Sequence, residues 1–181
     1  MVDAGIERME SLKAEMRFRL ENWSRRAQVE ALMGLKGFQL IAAMTVISEL
    51  GDVTRFKHPR QLMAYLGLVP REHSSGESRK QGGITKTGNG HVRWILVEVA
   101  HSFRVAPKVS KELSDRQTGL SREIKALSWR AQKRLHSRYV KLRMRRLHEN
   151  KIKVAIAREL VGFIWELGQL LARAQKGEAA A

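Results

Sequence analysis

Apolar residues recur at helical spacing through most of this 181-residue chain. Repeats at i, i+3, i+4 and i+7 are typical of helices that bury one face. From Ile6 to Trp23 the stripe is flanked by charges of both signs, which predicts a long amphipathic helix that pairs with another helix. Further helices are predicted to end near 34 and to run over 40–50, 59–66, 91–105, 121–147 and 152–174. The pattern therefore predicts a mainly α fold with long amphipathic helices at both ends.

Capping residues and helix breakers set the boundaries of these elements. Gly51 ends the helix over 40–50, and Pro59 occupies a favourable first helical position. Asn89 or Gly90 begins the next helix, and Ser121 is the expected N-cap of the helix over 121–147.

Two of the predicted helices are joined by a glycine turn, in "ALMGLKGFQLIAAMTVISELGD". One interpretation is a helix-hairpin-helix, in which backbone amides at the turn meet a phosphate. The other is a bare helical hairpin with a glycine C-cap. Two tryptophans farther along, Trp94 and Trp165, lie within apolar helices and are predicted to be core residues rather than base-stacking platforms.

No internal repeat and no break in composition divides the chain into separate folding units. We expect a linking helix over 1–25, a core with the helical hairpin over 26–106, a basic helical part of the same domain over 107–175, and a frayed tail over 176–181.

The charge is strongly unbalanced, with 34 Lys and Arg against 18 Asp and Glu, a net +16. Such an excess predicts a polyanionic partner, with an ordinary basic protein or an anionic membrane as the alternatives. Ten of the cations lie between 122 and 146, where they are opposed by Glu123 alone. We expect an electrostatic contact face formed by Lys133, Arg134, Arg138, Lys141, Arg145 and Arg146.

Several classes of protein are excluded or disfavoured by the same composition. The chain has no cysteine, which excludes disulfides and thiolate zinc sites. No apolar run approaches the roughly 18 residues of a membrane span, and the N-terminus has no secretory pattern. The histidines and acids are scattered, and no GxxxxGK[ST] loop occurs. We therefore predict a cytoplasmic, nucleoid-associated protein with no metal or cofactor of its own.

The segment "GLVPREHSSGESRKQGGITKTGNGHVR", residues 67–93, interrupts the apolar pattern. It is consistent with a slack surface loop, a phosphate-cradling turn, or a loop with a reactive serine. Ser75 precedes Gly76, and a serine that attacks a phosphodiester needs nearby cations and a proton acceptor, here His73 or His91. The candidate phosphate-binding cations, which could equally form a solvated face, are Arg71, Arg79, Lys80, Lys86 and Arg93.

The order of residues over 50–100 resembles a known family. The chain reproduces its pattern "RF", "L..Y.GL.P", "SSG" and "G.I.K.GN" in sequence. The matching positions are Asp52, Arg55, Phe56, Leu62, Tyr65, Gly67, Leu68, Pro70, Ser74, Ser75, Gly76, Gly83, Ile84, Lys86, Gly88, Asn89, Arg93, Leu96 and Ala100. This run resembles the C-terminal transposase domain of the IS110 family, the Piv/MooV-like DEDD transposases that include the bridge-RNA-guided recombinases. At the upstream helical hairpin, Lys36 and Gln39 replace the family's usual Pro and Gly.

The resemblance implies a function and a set of site residues. Ser75 would be the nucleophile, forming a 5′-phosphoserine link to DNA, and Gly76, Gly83, Gly88 and Asn89 would shape its loop. The implied partners are DNA, a structured guide RNA and further copies of the protein. Magnesium would be held by four acids of an N-terminal RuvC-like domain.

Residues 1–51 contain a linking helix and the helical hairpin in place of that domain. The sequence thus predicts a truncated transposase. The alternative is a non-catalytic remnant that binds nucleic acid or oligomerises.

Overall fold

The computed structural model of the protein describes residues 2–75 and 78–178. Within these ranges the helices are α1 (Val2–Glu21), α2 (Arg26–Met33), α3 (Leu40–Leu50), α4 (Pro59–Tyr65), α5 (Gly90–Ala100), α6 (Lys111–Arg116), α7 (Arg122–Met144) and α8 (Glu149–Glu178). Short 3-10 turns occupy Val53–Arg55 and His101–Arg104. The strands β1 (Pro70–Ser75) and β2 (Ser78–Ile84) pair antiparallel. The predicted mainly α fold is confirmed.

The residues predicted to cap helices do so. Gly51 ends α3 with a φ of +64°, a conformation that favours glycine. The Asn89 side chain accepts a hydrogen bond from the Val92 amide at the start of α5, at 2.9 Å. Ser121 accepts one from the Ile124 amide at 3.3 Å to begin α7. Asn89 and Ser121 each satisfy a backbone donor that the first helical turn leaves unpaired.

Helix α8 is the central element of the core. It packs against α7, α5, α4 and α2. Its buried residues are Ile152, Ile156, Ala157, Leu160, Val161, Ile164 and Leu167. Each large apolar side chain removed from water in this way contributes roughly 1.5–3 kcal/mol to folding. Trp165 is partly buried against the core and donates its indole N–H to the Phe56 carbonyl at 2.7 Å, which confirms its predicted place.

The first helix joins the core through its second half only. Leu20 is buried and Met16 packs against the core, in contact with α3. Ile6, Met9 and Leu12 are exposed, so within the described chain the first half of α1 is not paired with another helix.

Three features differ from the sequence predictions. The serine-containing segment forms the hairpin β1–β2, where a loop was expected. The short helix α6 was not predicted, because Leu113 is its one buried residue. The prediction of Trp94 as a core residue is wrong, since its side chain is 61% exposed. Helix α5 buries Val92, Ile95, Leu96 and Val99 on one face. At 100° per residue, position 94 lies on the opposite side of the helix.

Candidate nucleic-acid interface and serine hairpin

The base of the β1–β2 hairpin is a close contact between two glycines and the backbone. Gly67 has a φ of +62°, and a Cβ there would lie 2.2 Å from the Thr87 carbonyl oxygen. Gly88 has a φ of +71°, and a Cβ there would lie 1.8 Å from the Tyr65 carbonyl oxygen. Both positions therefore require glycine. The end of α4 and the turn before α5 are thereby held against one another.

Arg93 reinforces this contact from α5. Its Nη1 donates to the carbonyl oxygens of Leu66 and Thr87, each at 2.9 Å. The Lys86 amide donates to the Gly67 carbonyl at 3.1 Å and the Thr85 amide to that of Val69 at 2.9 Å. Arg93 thus has a structural role at the hairpin base, and its contact with phosphate stays a prediction.

The start of α5 is also tied to the end of α3. The Asn89 side-chain amide donates to Glu49 Oε2 at 2.6 Å, and His91 Nδ1 lies 2.5 Å from Glu49 Oε1. The hydrogen bond from Asn89 is the main cause that lowers the pKa of Glu49, with a further contribution from His91. His91, one of the two proposed proton acceptors, is therefore fixed to the helical body.

Ser75 is the last residue of β1, and its Cα pairs with that of Ser78. The same register pairs Ser74 with Arg79 and His73 with Lys80. Strand geometry of about 3.3 Å per residue puts Ser75 roughly 16 Å along β1 from Pro70. The hairpin therefore brings the serine strand beside Arg79 and Lys80 and holds Ser75 at the end opposite the glycine contact.

The remaining residues predicted around the serine differ in their surroundings. Gly76 lies outside the described residues. Gly83 is in β2, where an added Cβ would meet nothing within 4 Å. Arg71 donates to the Thr85 carbonyl at 3.2 Å. Lys86 is exposed at the hairpin base with a φ of +57°. The structure gives a steric reason for glycine at 88 but none at 83.

Family-pattern residues upstream of the hairpin form a supporting cluster. Asp52 accepts hydrogen bonds from the Thr54 amide at 2.8 Å and from its hydroxyl, and the hydroxyl bond is the main cause that lowers the Asp52 pKa. The Arg55 guanidinium carbon lies 4.7 Å from the Phe56 ring centroid and 5.1 Å from that of Tyr65. These contacts, with the buried Leu62, position α4 for the glycine contact that follows it.

The turn between α2 and α3 packs against the region after α5. Lys36 Nζ donates to the carbonyls of Val105 and Ala106, both at 3.1 Å, and burial lowers its pKa. Gly37 has a φ of +89°, and a Cβ there would lie 2.5 Å from Ser102 Oγ. The turn cation is thus engaged with protein carbonyls, and phosphate contact at this turn stays a prediction.

The basic face of α7 is divided by its contacts with α8. Arg134 and Arg138 share Glu159, at 3.0 and 3.2 Å, and Arg130 pairs with Glu166. The other predicted contact cations are exposed and have no acidic partner within the described ranges; they are Lys133, Lys141, Arg145 and Arg146. Of the six predicted contact cations, Lys133, Lys141, Arg145 and Arg146 are therefore free to meet a polyanion.

One exposed aromatic residue on this helix was missed by the sequence analysis. Trp129 is 41% exposed, and Lys133 Nζ lies 5.9 Å from its ring centroid. The i, i+4 spacing of an aromatic and a lysine was the available signal.

Two observations bear on metal and membrane binding. Over residues 2–75 and 78–178, no three histidine or acidic side chains are grouped so that they could hold a metal ion. None of the helices there has the length and apolar character needed to cross a bilayer.

Comparison with known proteins places these features in a family. Residues 29–115 match the transposase family IS116/IS110/IS902. The chain is 44% identical over 163 residues to the putative transposase y4qE of Sinorhizobium fredii, covering 90% of this chain and 41% of that protein. It is 28% identical to a probable family 20 transposase of Pseudomonas aeruginosa, over 78% of this chain and 35% of that protein. It is 29% identical to the transposase for insertion sequence element IS1111A of Coxiella burnetii, over 76% of this chain and 32% of that protein.

The matched region spans about two-fifths of the length of these relatives or less. The family match over residues 29–115 includes the supporting cluster at 52–65, the glycine contact, the hairpin and the whole of α5. Through this region the chain belongs to the IS116/IS110/IS902 family of insertion-sequence transposases.

Proposed function

We propose that this chain is a DNA-strand-transfer domain of an insertion-sequence transposase, with Ser75 as its nucleophile. The observation that supports the proposal best is the geometry of the β1–β2 hairpin. Ser75 lies at one end of the hairpin, and Gly67, Gly88 and Arg93 fix the other end to the helices. A nucleophile on a projecting, anchored hairpin can enter a DNA groove without rearrangement of the helical body. The family match supports DNA as the substrate class.

The proposed step is a transesterification. The Ser75 hydroxyl oxygen attacks a DNA phosphorus, a P–O bond to serine forms, and the P–O3′ bond breaks. The serine proton passes to an acceptor such as His73, and the departing oxygen takes up a proton from that acceptor or from water and becomes a free 3′-hydroxyl. Because one phosphoester replaces another, the 3′-hydroxyl of a second strand can attack the 5′-phosphoserine and complete the exchange. Cations near the phosphorus stabilise the charge of the transition state.

Magnesium, implied by the resemblance for a RuvC-like domain, has no suitable group of ligands among the described residues. No step of this proposal is therefore assigned to a metal held by this chain.

DNA binding is proposed to rest on the exposed cations of α7 and on the hairpin. A structured guide RNA and further copies of the chain belong to the same proposal. Each phosphate contact that is lost should reduce the salt dependence of duplex binding, with a slope of about 0.9 per contact. Lys141→Gln, Arg145→Gln and Arg146→Gln together should lower the slope by about 2.7 if all three contact phosphates.

A matched control removes three exposed cations elsewhere, at Arg8, Arg17 and Arg173. An equal effect of both triple variants would show that net charge, rather than the α7 face, governs binding.

The nucleophile is tested with a suicide substrate, an insertion-sequence end nicked so that the short fragment carrying the freed 3′-hydroxyl diffuses away after cleavage. The full chain is mixed with this DNA, the guide RNA and the N-terminal part of the Sinorhizobium fredii relative, and a covalent protein–DNA adduct is sought on a denaturing gel. Ser75→Ala should abolish the adduct and Ser74→Ala should retain it. An adduct that forms equally with Ser75→Ala would refute the assignment. DNA binding without an adduct from the unsubstituted chain would instead support a non-catalytic role.

A further inference from the structure

Trp129 is a large aromatic side chain in a strongly cationic setting. It is 41% exposed on α7, while its neighbours Leu127 and Ser128 are buried. Lys133, one turn later, has its Nζ 5.9 Å from the indole centroid. A single exposed apolar residue is normal on a protein surface, so exposure alone does not mark Trp129 as a binding site.

The surroundings of Trp129 are basic along the same side of the helix. Arg122 and Lys125 precede it by seven and four residues, and Lys133 follows by four, all exposed. Residues at these spacings lie on one helix face, with Cβ atoms about 5–6 Å apart between successive turns. The nearby acids of α8, Glu159 and Glu166, are paired with arginines. The result is an indole surface within a row of three cations.

Trp94 is also an exposed tryptophan, but its surroundings on α5 differ from those of Trp129. It is 61% exposed, more than Trp129, and stacks beside His91 with ring centroids 6.3 Å apart. Its neighbours are acidic, because His91 is bound to Glu49 and the exposed Glu98 follows Trp94 by one helical turn. A polyanion is repelled at Trp94 and attracted at Trp129.

We propose that Trp129 is a stacking platform for an unpaired base of single-stranded DNA, with Arg122, Lys125 and Lys133 contacting the flanking phosphates. Aromatic side chains among cations bind single strands by stacking, which every base permits, whereas the base faces of a duplex are covered. Single-stranded DNA is the occupant favoured here because strand transfer opens the duplex beside the broken phosphodiester. The inference rests in this respect on the proposed function.

The test is fluorescence anisotropy of a labelled mixed-sequence 12-nucleotide DNA with the full chain. Trp129→Leu should weaken binding by about 5- to 150-fold, and Trp129→Phe should recover part of the loss. Trp94→Leu is the matched control and should leave the affinity unchanged. A hairpin duplex of the same sequence should bind both leucine variants as it binds the unsubstituted chain. Far-UV circular dichroism checks that each variant is folded.

The salt dependence separates stacking from charge. Trp129→Leu should keep the slope of log K against log salt, since no cation is lost, whereas Lys133→Gln should reduce it by about 0.7. Equal losses for Trp129→Leu and Trp94→Leu, or a loss confined to an RNA oligonucleotide of the same sequence, would overturn the proposal. If Trp129→Leu has no effect while the Ser75 adduct still forms, the stacking site alone is refuted. If the adduct fails while Trp129→Leu weakens single-strand binding, the proposed chemistry alone is refuted.

Discussion

Substitution of Gly88 by alanine should destabilise the protein more than the same substitution at Gly119 or Gly83. Two costs combine at this position. A φ of +71° is unfavourable for alanine by about 1–2 kcal/mol. The new Cβ would also lie 1.8 Å from the Tyr65 carbonyl oxygen, so backbone must move, at a cost of roughly 1–3 kcal/mol for overpacking. The expected loss is therefore about 2–5 kcal/mol in the free energy of unfolding.

Two other glycines separate these costs. Gly119 has a φ of +80° with nothing within 4 Å of an added Cβ, so Gly119→Ala should show the conformational cost alone, about 1–2 kcal/mol. Gly83 has neither an unfavourable φ nor a close neighbour, so Gly83→Ala should be nearly neutral or stabilise by less than about 1 kcal/mol.

Urea unfolding followed by circular dichroism measures all three variants. With a slope near 2 kcal/mol per molar, a loss of about 3 kcal/mol lowers the midpoint by roughly 1.5 M. The order should be Gly83→Ala, then Gly119→Ala, then Gly88→Ala, from most to least stable. If Gly88→Ala is as stable as Gly119→Ala, close approach of the Tyr65 carbonyl does not add to the cost at Gly88 and the glycine contact does not fix the hairpin base.

Three further predictions follow from individual contacts. Arg93→Gln should cost about 1–3 kcal/mol in unfolding free energy, because it leaves the Leu66 and Thr87 carbonyls without their charged donor. It should also speed hydrogen exchange at the Thr85 and Lys86 amides, and unchanged exchange there would show that Arg93 does not hold the hairpin base. Asp52→Ala should cost about 0.5–2 kcal/mol at neutral pH through loss of the cap. Because the pKa of Asp52 is lowered in the folded state, that difference should persist above the ordinary Asp pKa of about 4 and shrink as pH falls through the folded value; a difference that grows on acidification would refute this. Glu159→Gln should release Arg134 and Arg138 and strengthen DNA binding at low salt, with a change in stability under about 1 kcal/mol. Weaker binding would show instead that these ion pairs hold the basic face of α7 in the arrangement that binds DNA.

The sequence predicted those parts of the fold in which local and tertiary preferences agree. Helix α3 begins and ends where the apolar run and Gly51 place it, and Asn89 and Ser121 cap as expected. The hairpin was not predicted because its strands are polar, contain glycines and lack the alternation of a half-buried strand. Among residues 2–75 and 78–178 its two strands pair only with one another, so little apolar burial marks them in the sequence.

The roles of single side chains were harder to predict than the helices. The spacing of Arg93 suggested phosphate contact, but its partners at Leu66 and Thr87 depend on how the chain returns to the end of α4. Trp94 was placed in the core because its neighbours in sequence are apolar, although its angular position on α5 points outward. The contacts of Arg93 come from tertiary structure, which local pattern does not contain, whereas the outward position of Trp94 follows from the helical spacing of α5.

The architecture separates the stability of the hairpin from the chemistry at its end. The strands pair only with one another in the described chain, so the contacts that orient them lie at the base, in the glycine contact and the Arg93 hydrogen bonds. Substitutions near Ser75 should therefore change reactivity with little effect on unfolding free energy, while substitutions at Gly67, Gly88 or Arg93 should change both. The family pattern extends over both groups, and on this argument its glycines before and after the hairpin are required for orientation of the serine rather than for contact with DNA.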